Sequence, residues 1–518
     1  MSSADGVLSV PDRALAARKL IALLTPLATD SESTVSASST STAPLNTDVL
    51  AATKELLQSL ISDKPVYATF HDGQVHDPLG GGAYAFRDDL IEPVVLGLVN
   101  DELLCSGTGA VDGLIKVGGT EHNGVEGVEM PVPANLPTRP IIIHAGAQPN
   151  NSPHCGTLVV FCYAFAVAQA IRDRLQAKAA GTKFKPPSVS VEVTFVDTAP
   201  VNGEGLEIDG IQYQKSYRDV PEALQTRMGD YRDVLALLST WSSIPFTTAF
   251  QSDFFAHPSM PLILEYITSR HSSLGRQLSP KYGTLALRAA CPVSGCSLAE
   301  KHGRLNTYHF GDDNNNNTTS NNNNTSHETN GSKITFHCPR HGPHHIHLTR
   351  PAEVARLEAN APARNLIRSM SHLLDARAHH VRVTGADYAG MYQEVFLHRP
   401  LAAWSAATGL APGRTPHILY APLVVDWSGA KLSKSLYVRE GGYEMMRVLG
   451  TDGLCSYAQL KEQFGVVGLR RVWEEVGRWM RDPRRLFRAW SVEYLAGVVR
   501  REECGRSGTD TSFRSGHL

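Results

Sequence analysis

Two short segments, far apart in the chain, constrain its fold more than any other feature. Pro149-Asn150-Asn151-Ser152-Pro153-His154-Cys155-Gly156-Thr157 follows the apolar run Ile141-Ile142-Ile143 and opens a long helical pattern beginning at Thr157. Lys431-Leu432-Ser433-Lys434-Ser435 sits in a Gly-rich turn after a second apolar run, Ile418 to Val425. A His and a Gly where a strand turns into a helix let phosphate or ribose oxygens approach the helix N-terminus closely. A Lys-x-x-Lys pair on a loop supplies point charges that can close over phosphoryl oxygens. Either segment alone is a common surface pattern. In this order, each behind a strand-like run, they predict a nucleotide-binding α/β core.

At 518 residues the chain exceeds one ordinary core, which predicts two or three domains. A formal net charge of -2 and a hydrophobic fraction of 42% are those of a soluble globular protein. With no overall basic excess, any nucleic-acid contact must use local patches. The apolar stretch Leu158 to Ala170 is too short to cross a bilayer and runs into Arg172-Asp173-Arg174, so no membrane partner is expected. The start, Met1-Ser2-Ser3-Ala4-Asp5, lacks the regions of a secretory signal, and its early acidic residue argues against a mitochondrial presequence. Eight scattered cysteines, several inside apolar runs, read as reduced thiols, and the expected compartment is cytoplasmic.

Along the chain, residues 1–65 read as a helical or disordered N-terminal segment. It has a Ser/Thr/Ala-rich spacer at 30–47 between helical patterns at Arg13 to Leu24 and Val49 to Ile61. Residues 66–140 form an α+β extension rich in turn residues, including Gly80-Gly81-Gly82. The nucleotide-binding fold begins at 141, and its first half runs to 214. Val189 to Val196 alternates, is β-branched and ends in Asp197, as a parallel strand does. An insertion occupies 215–375, the second half of the fold 376–440, and a helical C-terminal segment 441–518. Arg382-Val383-Thr384-Gly385-Ala386-Asp387 reads as a late strand running into a site loop. Strands alternating with helices around a large insertion predict a doubly wound parallel sheet, Rossmann-like.

The insertion carries Cys291-Pro-Val-Ser-Gly-Cys296 and His337-Cys338-Pro339-Arg340-His341, separated by an Asn-rich low-complexity tract (Asn314–Asn317, Asn321–Asn324) expected to be disordered. Cys291, Cys296, Cys338 and His341 are ligand types suited to tetrahedral zinc, which would be structural because all four ligands come from protein. The alternative is a set of turn or buried cysteines beside a His-rich loop (His344, His345, His347).

Two charged clusters remain. Asp88, Asp89 and Glu92 open a helix at i, i+1 and i+4, with Leu90, Ile91, Val94 and Val95 as its apolar anchor. Such carboxylates hold a divalent metal, receive an ammonium or guanidinium, act as a general base, or simply favour the helix dipole. Near the C-terminus, Arg470, Arg471, Arg478, Arg481, Arg484 and Arg485 either grip phosphates or are solvated, while Trp473, Trp479 and Trp490 read as core.

The paired segments resemble the His-x-Gly-His and Lys-Met-Ser-Lys-Ser signatures of class I aminoacyl-tRNA synthetases, with Thr157 in place of the second histidine. The layout of cysteine-bearing insertion, Val-Thr-Gly-Ala-Asp loop and Lys-Ser turn is most similar to the class I lysyl-tRNA synthetase branch. Together with Asp88-Asp89-Leu90-Ile91-Glu92, the chain from about Val66 to Val499 resembles the fungal arginine-containing cyclodipeptide synthases. The resemblance implies condensation of arginine from arginyl-tRNA with an amino acid from a second aminoacyl-tRNA. The product is a 2,5-diketopiperazine of secondary metabolism, passed to tailoring enzymes of a biosynthetic cluster. It implies that Asp88, Asp89 and Glu92 are needed for activity, and that no cofactor is required for the condensation. His154, Gly156, Thr157, Lys431, Ser433, Lys434 and Ser435 would hold the terminal adenosine of tRNA. Asp387 and Tyr388 would contact the aminoacyl ammonium; the alternative is that the loop Asp caps a helix. The competing expectations are an ATP-dependent lysine-like ligase and an inactive tRNA-binding homologue.

Overall fold

The computed structural model describes residues 89–106, 136–201, 203–310, 332–410, 414, 416–426, 429–432, 442–486 and 488–501. The segment 1–65 with its spacer, most of the 66–140 extension, Asp88, the Asn-rich tract and Ser433 to Ser435 lie outside the described residues.

Five parallel strands form the centre: β1 (Ile141–Ala147), β2 (Val189–Phe195), β5 (Phe246–Phe250), β12 (His379–Gly385) and β13 (His417–Ala421). Their order in the sheet is β13-β12-β1-β2-β5. The chain therefore builds outward from β1 in one direction, then returns and builds in the other, which is the doubly wound order of a Rossmann-like fold. The expected α/β class is the observed one. Alternation explains the two faces of the sheet. Ile141, Ile143, Val191, Val193, Val381 and Val383 point into one apolar core. On the opposite face, His144 sits in register with Glu192 and Arg382, and Ile142 with His380.

The first core is made with α1 (Ile91–Ser106), α2 (Cys155–Ala179), α3 (Pro221–Ser242), α8 (Tyr457–Arg481) and α9 (Val492–Arg500). Helix α2 is long and apolar enough to cross a membrane by length and composition. Here it is the central helix of the protein, with Leu158, Phe161, Cys162, Phe165, Ile171 and Leu175 all buried. The second core lies on the other side of the sheet, under α4 (Met260–Ser269), α5 (His271–Leu278), α6 (Ala361–Leu374) and α7 (Arg399–Thr408).

The insertion differs from its sequence reading at its start. Strand β5, with α3 before it, belongs to the parallel sheet although it lies inside 215–375. Phe246-Thr247-Thr248-Ala249-Phe250 is an edge strand exposed along its middle, so hydropathy does not mark it. Conversely, the hairpin of β3 (Leu206–Ile208) and β4 (Ile211–Gln214) leaves the first half of the core and pairs with β7 (Ala299–Glu300) of the insertion. The rest of the insertion pairs β6 (Leu287–Ala289) with β11 (Leu357–Ala359). It also forms an antiparallel sheet of β8 (Thr307–His309), β9 (Lys333–Cys338) and β10 (Gly342–His347). At the C-terminal side, β14 (Val424–Val425) pairs with β15 (Trp490–Ser491).

The tryptophans of the C-terminal segment are core, as expected. Trp479 is fully buried and stacks on Trp490 at 4.8 Å. Glu475, 1% exposed, accepts hydrogen bonds from Trp479 Nε1 at 3.0 Å and Tyr494 Oη at 2.5 Å, and pairs with Arg478. Several of the arginines are likewise engaged: Arg471 donates to the Val499 carbonyl, while Arg484 and Arg485 pair with Asp482.

Two predictions follow from this packing. Replacing Glu475 with Ala strands two buried donors and a guanidinium, and should lower unfolding free energy by about 3 kcal/mol, read from the urea midpoint. At the amino edge of the sheet, Glu102 bonds His379 Nε2 at 2.8 Å and accepts from the backbone N–H of Thr138 and Arg139. Burial raises its carboxyl, but these partners outweigh burial and bring the pKa from 4.5 down to about 2. A depressed carboxyl stabilises fully above its unfolded value. The stability difference between wild type and Glu102→Gln should therefore be constant near neutrality and shrink as pH falls from about 4.5 to about 2.

Candidate functional site

The carboxyl ends of the parallel strands carry the loops singled out in the sequence. After β1, the chain crosses Gln148 to Pro153 and enters α2, whose N-cap is His154. Its Nδ1 accepts from Gly156 N–H at 3.1 Å, and Thr157 Oγ1 lies 3.4 Å from Nε2. The helix starts at Cys155, two residues before the apolar pattern, because His154 itself caps it. A Cβ on Gly156 would sit 2.9 Å from His154 Cε1, so a larger residue here would have to push the capping imidazole aside. The loop is held from two sides. Buried Tyr231 of α3 donates to the carbonyls of Gln148 and Asn151, and the N-terminus of α8 bonds Pro153 O and Ser152 Oγ.

After β12, Asp387 and Tyr388 form a short 3-10 turn. Gly385 leaves room for Asp387 to fold back, since a Cβ there would meet Asp387 Oδ1 at 2.6 Å. Asp387 forms an ion pair with Lys431, which follows a tight return at Gly429 and bridges back to Val425. The structure thus joins the late strand's loop to the first lysine of the Lys-Leu-Ser-Lys-Ser segment.

Between β1 and β12, at the point where the strand order reverses, lies a cavity of about 300 Å³. Open α/β sheets bind ligands at this place. Its walls include Gln148 and Thr384 from the strand ends, Tyr388, and the side chains of Arg364, Arg368 and Arg382. The β3–β4 hairpin closes it with Gln214, and the insertion with Arg288 and Lys301. Of these last six, only Arg382 was named in the sequence, as the start of the late strand, and none was read as a site residue. The available signal was Arg364 and Arg368 at i and i+4 on α6, one helical face, ahead of Arg382 on the next strand.

His144 in the cavity wall begins a histidine relay, also missed. Glu192 Oε1 lies 3.2 Å from His144 Nδ1, His144 Nε2 lies 2.8 Å from His380 Nδ1, and His380 Nε2 lies 3.2 Å from Asp375 Oδ2. His372 stacks on both rings, 4.3 and 4.2 Å away. All three contacts are hydrogen bonds only when the two rings share three protons, one net positive charge between two carboxylates. Burial lowers the pKa of His144 and of His372. His144, His372 and His380 each bring a ring nitrogen within 4.8 Å of the other two.

Asp89 and Glu92 lie elsewhere. Asp89 Oδ1 accepts from Ile91 and Glu92 N–H and caps α1, and its other oxygen pairs with Arg174 at 2.5 Å. Glu92 pairs with Arg174 at 2.7 Å and with Lys178. For both carboxyls burial acts upward, but the cations and hydrogen bonds outweigh it and lower the pKa. Arg174 lies 19 residues into α2 from Cys155, roughly 28 Å along the axis at 1.5 Å per residue. These two acids therefore meet each other, but not His154, Asp387 or Lys431.

The four metal-type residues do converge. Cys291, Cys296, Cys338 and His341 place their ligand atoms within 4.8 Å of one another. Cys291 Sγ is 3.4 Å from His341 Nδ1, Cys296 Sγ 3.6 Å from Cys338 Sγ, and Cys338 Sγ 3.7 Å from His341 Nδ1. Zinc–sulfur bonds of ~2.3 Å in a tetrahedron imply edges of ~3.7 Å, so the set fits that ion.

No protein-family model matches the chain, and no curated protein matches it. Among solved structures it is similar to the glutamate-tRNA synthetase of Elizabethkingia anophelis, at 11% identity and a TM-score of 0.24, over 58% of this chain. The match spans about half of that protein, 54% of its length. It is also similar to a Campylobacter jejuni structure assigned as an arginyl-tRNA synthetase, at 10% identity and a TM-score of 0.23, over 70% of this chain and 84% of that one. The Rossmann-like assignment rests on the strand order rather than on these likenesses.

Proposed function

We propose that this chain is a class I synthetase-like aminoacyltransferase that draws aminoacyl groups from tRNA and joins two of them into an arginine-containing cyclic dipeptide. The supporting observation is the shared placement of its loops: His154 to Thr157 and Asp387 to Tyr388 follow the carboxyl ends of strands in one Rossmann-like sheet, and Lys431 pairs with Asp387. The terminal adenosine of tRNA would lie against the start of α2, where the positive end of the helix dipole and Lys431 favour its ribose and phosphate oxygens.

An aminoacyl ester on tRNA is already activated. The α-amine of one residue attacks the carbonyl carbon of the other, the ester C–O bond breaks, and the tRNA hydroxyl leaves with the proton. A second attack in the opposite sense closes the six-membered ring and frees the second tRNA. Holding the two esters in register supplies most of the rate. Neither attack needs ATP or a cofactor.

Asp88, Asp89 and Glu92 are needed for activity under this reading. Asp89 and Glu92 act at a distance from the cavity, by anchoring α1 on Arg174 and Lys178 of α2. Mass spectrometry of small molecules from a bacterial or fungal host expressing the chain should detect a new cyclic arginyl dipeptide. The Asp89→Ala and Glu92→Ala variants should lose most of it together with several degrees of Tm. Soluble protein without any cyclic dipeptide, but with lysine-dependent exchange of pyrophosphate into ATP, would make the chain a ligase instead.

Cys291, Cys296, Cys338 and His341 hold a structural zinc in this proposal, tying the turn at 291–296 to the β9–β10 hairpin. Purified protein should contain one zinc per chain by metal analysis. Cys296→Ser should lose the metal and lower Tm by roughly 10 °C, as for other closed zinc sites.

A further inference from the structure

We infer that the cavity between β1 and β12 is an anion site, which takes the carboxylate or phosphate group of a small ligand and rejects a guanidinium or ammonium side chain. Three independent observations carry this.

The first is charge. Arg288, Lys301, Arg364, Arg368 and Arg382 all line the cavity, and among the described residues no Asp or Glu does. The carboxylates nearby are already committed. Glu358 pairs with Arg288 at 2.7 Å and Arg218 at 2.8 Å, Glu192 with His144, and Asp387 with Lys431. Among the described residues Arg368 hydrogen-bonds a neutral partner, Gln251 Oε1 at 2.6 Å, and Arg382 bonds Asn365 Oδ1 at 3.1 Å and lies over the Tyr388 ring, so neither has an anionic hydrogen-bond partner. Burial, with neighbouring guanidinium charges, pushes Arg364 down to about 10 and Arg368 down to about 9. An anion placed among these groups would relieve their mutual repulsion.

The second is a buried, unpartnered donor. Gln214 lines the cavity, is 5% exposed, and its Nε2 has no hydrogen-bond partner. A buried amide donor left open costs stability unless an acceptor meets it.

The third is the start of α6. Asn360 and Ala361 line the cavity, yet the Asn360 side chain does not cap the helix. It accepts from Arg288 Nη1 and donates to Lys301 O at 2.9 Å instead. The first turn of a 14-residue helix is thereby left facing the cavity without a side-chain cap, adding to its positive potential.

Binding of an anion stands on these observations alone. Its meaning for the reaction rests on the function proposed above. There, the cavity holds either an acidic side chain of the second aminoacyl group or a phosphate of the tRNA terminus, and the arginyl group binds elsewhere.

Isothermal titration calorimetry of the full chain at low salt tests the inference, with L-glutamate, AMP, inorganic phosphate and L-arginine as probes. Saturable binding of glutamate, or of AMP and phosphate, is expected, with no binding of arginine. Arg364→Gln and, at the rim, Lys301→Gln should each weaken it by about tenfold or more. Glutamate without phosphate identifies a carboxylate as the ligand group; phosphate and AMP without glutamate identify a phosphate. Wild-type protein with a native circular dichroism spectrum that binds none of the anions overturns the inference. So does anion binding unchanged in both variants, or arginine bound more tightly than every anion. The titration needs neither tRNA nor turnover. Protein that makes cyclic dipeptide without binding anions overturns this inference alone, and protein that binds them without product overturns only the proposed reaction.

Discussion

The burial of α2 is the constraint on which the rest of the structure depends. From Cys155 to Ala170 the helix is apolar on nearly every side and has no face to give to water, so protein must surround it there. The sheet covers one side, and α1, α3 and α8 cover the others, all sharing one core with it. Its N-terminus then necessarily arrives at the carboxyl edge of β1 with His154 as its cap. Its far end carries Arg174 and Lys178 to the opposite edge, where Asp89 and Glu92 meet them. The placement of the candidate loops and of the acidic cluster is thus set by one packing requirement and by the length of one helix.

Much of the fold was legible because its signals are local. Ile141 to Ile143, Val189 to Val196 and Arg382 to Asp387 each announce a strand by alternation or by an apolar run, and each is one. Edge strand β5 was not legible, because Thr247 and Thr248 face solvent and no apolar run is needed there. The cysteine and histidine ligands declared themselves by residue type and spacing, and their convergence needed only a hairpin. The cavity cations gave only the i, i+4 spacing of Arg364 and Arg368 on α6. Arg288, Lys301, Arg364 and Arg382 come from separate elements, and ordinary arginines on strands and helices look the same until tertiary closure brings them together. The acidic trio was ambiguous for the opposite reason: carboxylates at a helix start suit a ligand, a dipole or a partner helix equally well.

The polar face of the sheet shows how a protein tolerates charge inside itself. His144, Glu192, His380 and Arg382 all lie on the face turned toward α6, under a helix bearing Asn365, Arg368 and His372. The relay from Glu192 to Asp375 links two rings between two carboxylates. Glu358, 1% exposed, gathers Arg288, Arg218 and Ser216 into a second fully bonded node. Such networks are stable only when each member is satisfied. The insertion contributes Arg288 to this network, so its docking and the polarity of the cavity are one arrangement.

Strand β13 ends the sheet with a side-chain pattern that serves two masters. Leu419 and Ala421 belong to the core around α2, whereas Ile418 and Tyr420 belong to the core under α6 and α7. A slip of one residue against β12 would therefore send each pair into the wrong core at the same moment. His417, bonded to Asp101 at 2.7 Å, would be dragged off its partner by the same slip. The strand acts as a key cut on both edges, and Lys431, carried ten residues beyond Ala421, inherits its placement from that fit.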